Sequence, residues 1–144
     1  MDVAAILRSK GSSVETVDPA ADVHHALRRL ASRGYGALVV SPDGATVLGV
    51  LSERDAVRAL AERGVEAFSM PVSAVMSRNV PTCTPADNIT SVMTTMTRSR
   101  QRHLPVIDHG RLCGIVSIGD VVKHRLDELQ LETNVLRDAY IAHR

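Results

Sequence analysis

With 144 residues and a formal charge of +1, the chain has length for one domain and offers no electrostatic case for nucleic acid or a membrane surface. Hydrophobic residues make up 44%, yet there is no Trp, one Phe and two Tyr, so the core has to be aliphatic. No apolar run approaches the roughly 20 residues that cross a bilayer, and the N-terminus lacks the basic-then-apolar order of a secretory leader. Together these set the expectation of a cytoplasmic protein. Cys83 and Cys113 share no Cys-x-x-Cys spacing and read as small core thiols. The six histidines show no metal spacing, and the adjacent His24 and His25 cannot both face one ion from a helix.

In chain order, Val3, Ile6 and Leu7 predict a short helix over residues 2–10, and Val14 to Val17 a short strand. Asp18-Pro19 reads as a helix start, Asp as N-cap and Pro at the first helical position. That helix carries Val23, Ala26, Leu27 and Leu30 on one face and stops at Gly34. Two strands, Ala37 to Val40 and Val47 to Leu51, flank the turn signal Ser41-Pro42-Asp43-Gly44. Ser52 then caps a helix ending at Gly64. The order returns: a helix at Val72 to Met76, a strand at Val80 to Cys83, and a helix start at Thr84-Pro85. A hairpin follows around Asp108-His109-Gly110, and a last helix begins at Ser117 and runs past Leu126.

The return is literal in places. Gly49-Val50-Leu51-Ser52-Glu53-Arg54-Asp55 recurs as Gly114-Ile115-Val116-Ser117-Ile118-Gly119-Asp120, with Gly, Ser and Asp in register at an offset of 65. Two units of this size, each marginal alone, are stabilised by packing together. The expected fold class is α/β (α+β), with two β-α-β-β-α units packed sheet to sheet around a pseudo-two-fold axis. Residues 1–64 form the first repeat with its N-terminal helix, 65–71 a linker, 72–131 the second repeat and 132–144 a helical tail.

This order, with Gly-apolar-x-Ser-x-x-Asp closing each hairpin and opening each second helix, resembles the CBS domain, named for cystathionine β-synthase. Two copies covering the chain resemble a stand-alone tandem pair, the Bateman module. The resemblance implies regulation rather than catalysis. Such pairs bind AMP, ADP, ATP, NAD(H) or S-adenosylmethionine in clefts between the copies, and signal to a partner protein. It also implies a homodimer, with the helices around residues 18–33, 52–63, 84–98 and 117–131 as the contact. A structural module with empty clefts is the alternative from a different class.

The residues support a nucleotide on their own chemistry. An aspartate in the first turn of a helix offers two fixed acceptor oxygens to the paired hydroxyls of a ribose. A serine at the N-cap stands where the helix dipole favours phosphate. Ser52 with Asp55, and Ser117 with Asp120, meet both conditions. By analogy with the family each cleft is composite. For Asp120 the first copy would supply Lys10 to Ser13, Ser12 among them, together with Tyr35, Gly36 and Ala37. For Asp55 the second copy would supply Arg78 to Pro81, including Val80, and Arg102, His103 and Leu104. Lys10, Arg54, Arg102 and His103 are the candidates for phosphate charge.

Overall fold

The computed structural model describes residues 1–142. Helix α1 (Val3–Lys10) is followed by β1 (Thr16–Val17), α2 (Val23–Arg33), the hairpin β2 (Ala37–Val40) and β3 (Gly49–Ser52), and α3 (Glu53–Arg63). A 3-10 segment, Gly64–Ser69, occupies the expected linker. The second unit comprises α4 (Val72–Val75), α5 (Ile89–Ser99), β4 (His103–Asp108), β5 (Arg111–Ser117) and the long α6 (Ile118–Ala142). One sheet has the order β1-β2-β3, with β1 parallel and β3 antiparallel to β2. The other is the β4-β5 hairpin. The strand expected before α5 is reduced to one parallel bridge from Cys83 to Val106.

The helix starts differ from the sequence expectation. Asp18 accepts from the Ala20 N–H and closes a turn, while Asp22 caps α2 by accepting from the His25 N–H at 2.7 Å. In the second unit, Asn88 rather than Thr84 caps α5 through the Ser91 N–H at 2.7 Å. The physical reason is the same in both units. The Pro19 and Pro85 turns close on their own carbonyls (Ala21 N–H to Asp18 O, Asp87 N–H to Thr84 O), so each helix begins one turn later.

Two apolar clusters make the core, and neither follows sequence order. The first contains Val17, Val23, Leu30, Leu38 and Leu51 from repeat one, together with Val72 and Val75 of α4. The second contains Ile89, Val92, Leu104, Val106 and Val116 from repeat two, together with Val3 and Ile6 of α1. Each repeat is thus completed by the helix that precedes the other. Backbone bonds fix the exchange: Val3 N–H donates to Asp87 O at 2.9 Å, and Val72 N–H donates to Ala21 O at 2.8 Å.

The exchange explains the repeated motif glycine. A Cβ on Gly49 would lie 2.4 Å from the Ser77 carbonyl oxygen, on the strand-like segment after α4. A Cβ on Gly114 would lie 2.6 Å from Leu7 Cδ2 on α1. In both repeats the glycine leaves room for the crossing element. The two hairpins are linked where Leu112 N–H of β5 donates to Ala45 O, in the loop between β2 and β3, at 2.9 Å.

Candidate functional site

Two clefts open between the repeats, divided by Gly36 and His103, which line both. A Cβ on Gly36 would come within 3.1 Å of His103 Nε2, so the start of β2 lies directly against the start of β4. Burial, reinforced by the nearby Lys10 charge, lowers the His103 pKa below the usual imidazole range; Asp120 and Glu53 oppose it.

The first cleft, of about 350 Å³, lies at the N-terminus of α6. Lys10, Gly11 and Ser13 line one side, Tyr35 to Ala37 another, and Ile115 and Ser117 the floor. At its edge Lys10 Nζ donates to Asp120 Oδ2 at 2.7 Å and to the Ile115 carbonyl at 3.0 Å. The same Asp120 oxygen accepts from the Ser117 N–H at 2.9 Å, and Ser117 Oγ accepts from the Asp120 N–H at 3.1 Å. Burial pushes the Asp120 carboxyl up, but the Lys10 and Ser117 hydrogen bonds and the Lys10 charge outweigh it and hold the pKa below its ordinary value.

The second cleft, of about 310 Å³, lies at the N-terminus of α3. Here Asp55 is 3% exposed and both its oxygens are engaged. Oδ2 accepts from the Ser52 N–H and the Ser52 hydroxyl, each at 2.9 Å, completing a capping box with the Asp55 N–H on Ser52 Oγ. Oδ1 accepts from Arg58 and from the Ser77 hydroxyl, each at 2.7 Å. Arginines dominate the remaining wall: Arg54, Arg58, Arg100 and Arg102. Among the described residues Arg54, Arg100 and Arg102 form no ion pair, whereas Arg58 is committed to Asp55.

The two repeats of Ser-x-x-Asp are thus alike in sequence and unlike in state. Of the residues expected around Asp120, Lys10, Ser13, Tyr35, Gly36, Ala37 and Ser117 line the cleft; Asp120 itself lies outside the lining, bonded to Lys10 and Ser117, and Ser12 is exposed and outside it too. Around Asp55 it gathers Ser52, Arg54, Arg102 and His103. Val80 and Pro81 are half-buried outside that lining, and Leu104 is fully buried in the second core. Arg78 turns its guanidinium to the Ser73 carbonyl. Sequence reasoning missed Arg58, Ser77 and Arg100. Arg58 was detectable, one helical turn beyond Asp55 on the same face. Ser77 was not, because it reaches Asp55 only through the exchange of α4.

The arrangement offers polar groups for binding rather than an activated nucleophile. The Ser52 hydroxyl donates to the Asp55 carboxylate and accepts from the Asp55 N–H, and the Ser117 hydroxyl accepts from the Asp120 N–H. Among the described residues no group of three His, Cys, Asp or Glu side chains could hold a metal ion, and no helix is long and apolar enough to cross a membrane.

The model of the CBS domain family matches residues 3–62 and again 72–127. The chain belongs to the CBS domain family. It is 33% identical to the CBS domain-containing protein CBSX3, mitochondrial, of Arabidopsis thaliana, over 96% of this chain and 71% of that one. The crystal structure of the CBS-domain containing protein ATU1752 from Agrobacterium tumefaciens superposes with a TM-score of 0.83 at 41% identity, covering 86% of this chain and 92% of that one. A structure of CBSX2 in complex with AMP superposes with a TM-score of 0.68 at 26% identity, covering 79% of this chain and 88% of that one. The fold is that of a CBS pair with two small sheets, the first strand of the second unit reduced to the Cys83 bridge, and CBS pairs of this kind are ligand-binding regulatory modules.

Proposed function

We propose that this CBS pair is a sensor that binds an adenine nucleotide (AMP, ADP or ATP) or NAD(H) in the Asp120 cleft and passes the bound state to a partner protein. The observation that carries the reading is Lys10, which lines a cleft with Tyr35, Gly36 and Ala37 and holds the adjacent Asp120 at 2.7 Å. Asp120 is a charged acceptor at a helix N-terminus, and the group now facing it is a flexible lysine 34% exposed. Ribose hydroxyls replace that lysine at Asp120, and the released ammonium turns to the phosphate. The small Gly36 and Ala37 let a planar base lie near backbone amides. The AMP complex of the related CBSX2 supports the choice of an adenine nucleotide.

Lys10 is the last residue of α1, whose Val3 and Ile6 are fully buried in the second core. Displacing Lys10 therefore acts on an element that ties the two repeats together. That is the route by which occupancy reaches the surface that a partner reads. The Asp55 cleft responds differently. A ribose there has to displace Arg58 and the Ser77 hydroxyl from a carboxylate already satisfied, so it fills second or more weakly.

A thermal-shift panel of AMP, ADP, ATP, NAD, NADH and S-adenosylmethionine tests the reading. Stabilisation that grows with concentration of one adenine nucleotide or dinucleotide is the expected result. A shift with S-adenosylmethionine alone would reassign the ligand. No shift with any of the six leaves a structural module with empty clefts.

A further inference from the structure

Helix α6 outruns the body it belongs to. Val121 is buried in the second core, His124 touches Met1 through its ring, and Glu128 pairs with the N-terminal ammonium at 3.3 Å. From Leu129 to Ala142 every residue except the half-buried Asn134 is exposed. This length of helix is marginal in water without something to pack on.

Part of the exposed surface is ordered: Val122, Leu126, Leu129, Thr133, Leu136 and Tyr140 alternate steps of four and three, the repeat of a coiled-coil seam, while the exposed Leu131, Val135 and Ile141 lie off it. Leu126 is 60% and Leu136 71% exposed. On the helical wheel the centre of this stripe lies about 100° or more from Val121, His124 and Glu128; the body covers Val122 and Leu129 in part, leaving them 43% and 42% exposed. Thr133, the one polar member, donates its hydroxyl to the Leu129 carbonyl at 2.9 Å and presents its methyl group without an unmet hydrogen bond.

We propose that this seam pairs with the same seam of a second copy of the chain, as a parallel two-stranded coil that joins two CBS pairs. The flanking charges decide both the occupant and the direction. In a parallel pair, Glu132 on one flank meets Arg137 on the opposite flank of the second copy, and symmetry makes the pair twice. Neither residue forms an ion pair within its own chain among the described residues. An antiparallel pair would set Glu132 against its own copy and Lys123 against Arg137, like charge against like. The seam is thus complementary to itself in one orientation. This inference is independent of the ligand.

Sedimentation of the full chain at micromolar concentration tests it. The expected result is a dimer that Leu136→Asp weakens by at least roughly tenfold. Because Leu136 is exposed and distant from both cores, that variant keeps the folded body, which its circular dichroism reports. Glu132→Arg or Arg137→Glu alone weakens the dimer, and the two together restore it. A monomeric wild type, or a dimer indifferent to Leu136→Asp, overturns the proposal. Tightening by Arg137→Glu overturns the parallel direction.

Discussion

Asp55 and Ser77, twenty-two residues apart in the chain, share a hydrogen bond of 2.7 Å that closes one of two clefts built from the same repeated phrase. Its counterpart Asp120 meets Lys10 instead, across 110 residues, at the same distance. One carboxylate is locked among hydroxyls, a backbone N–H and a guanidinium at 3% exposure. The other is partly exposed and pairs with a partly exposed ammonium. Two copies of one phrase thus hold their carboxylates in different surroundings, one satisfied on both oxygens and one paired with a lysine.

The Lys10–Asp120 pair has a pH signature. The folded pKa of Asp120 lies below its unfolded value, about 3.9 for an aspartate. Its contribution to stability is therefore present above that unfolded value and is lost as pH falls through the lowered folded one. Both side chains are partly solvated, so the pair is worth no more than about 1 kcal/mol. Urea unfolding of wild type and Lys10→Met should show that difference near neutral pH. The two curves should converge once pH falls below the carboxylate range.

Gly49→Ala tests the close approach of the crossing element. The new methyl would meet a backbone carbonyl, Ser77 O, held in a bridge with Val50, so relief requires moving the strand. A loss of about 1–3 kcal/mol is expected. Gly114→Ala should cost less, since the atom it meets is the end of the Leu7 side chain, which can rotate. Denaturant midpoints of the two variants give the comparison.

The exchange of helices makes α1 part of the second repeat's core. Ile6→Ala, at a fully buried position, should destabilise by about 2–5 kcal/mol. Amide exchange should show the loss first in α5 and the β4-β5 hairpin rather than in β1 to β3. If protection falls first in the first sheet, the exchange of helices does not set the stability of the cores.

The repeated Gly-x-x-Ser-x-x-Asp, both hairpins and the apolar stripes of α2, α3 and α5 were legible because each rests on spacing within one element. The true caps, Asp22 and Asn88, were hidden by prolines a turn earlier that looked like helix starts. The short strand at Val80 to Cys83 failed to form beyond one bridge because Cys83 alone reaches Val106. What no local pattern could show is the crossing of α1 and α4 between cores. That crossing brings Ser77 to Asp55, a contact hidden with it, whereas Lys10 beside Asp120 was expected from the resemblance. The last helix was expected to continue, and it does so unbroken from Ile118 to Ala142; the final two residues of the expected tail lie outside the described residues.

The central claim is that Asp120, and not Asp55, carries the primary nucleotide site. Titration calorimetry with the adenine nucleotide or dinucleotide that stabilises the protein most, on wild type, Asp120→Ala and Asp55→Ala, tests it most directly. Asp120→Ala should lower the affinity of the tighter site about 10- to 100-fold, the loss of charged hydrogen bonds to ribose. Asp55→Ala should lower stability through its capping box and the Arg58 and Ser77 bonds while leaving that affinity nearly unchanged. Wild-type affinity and stoichiometry in Asp120→Ala, or loss of the tighter site in Asp55→Ala at a temperature where it remains folded, would contradict the account.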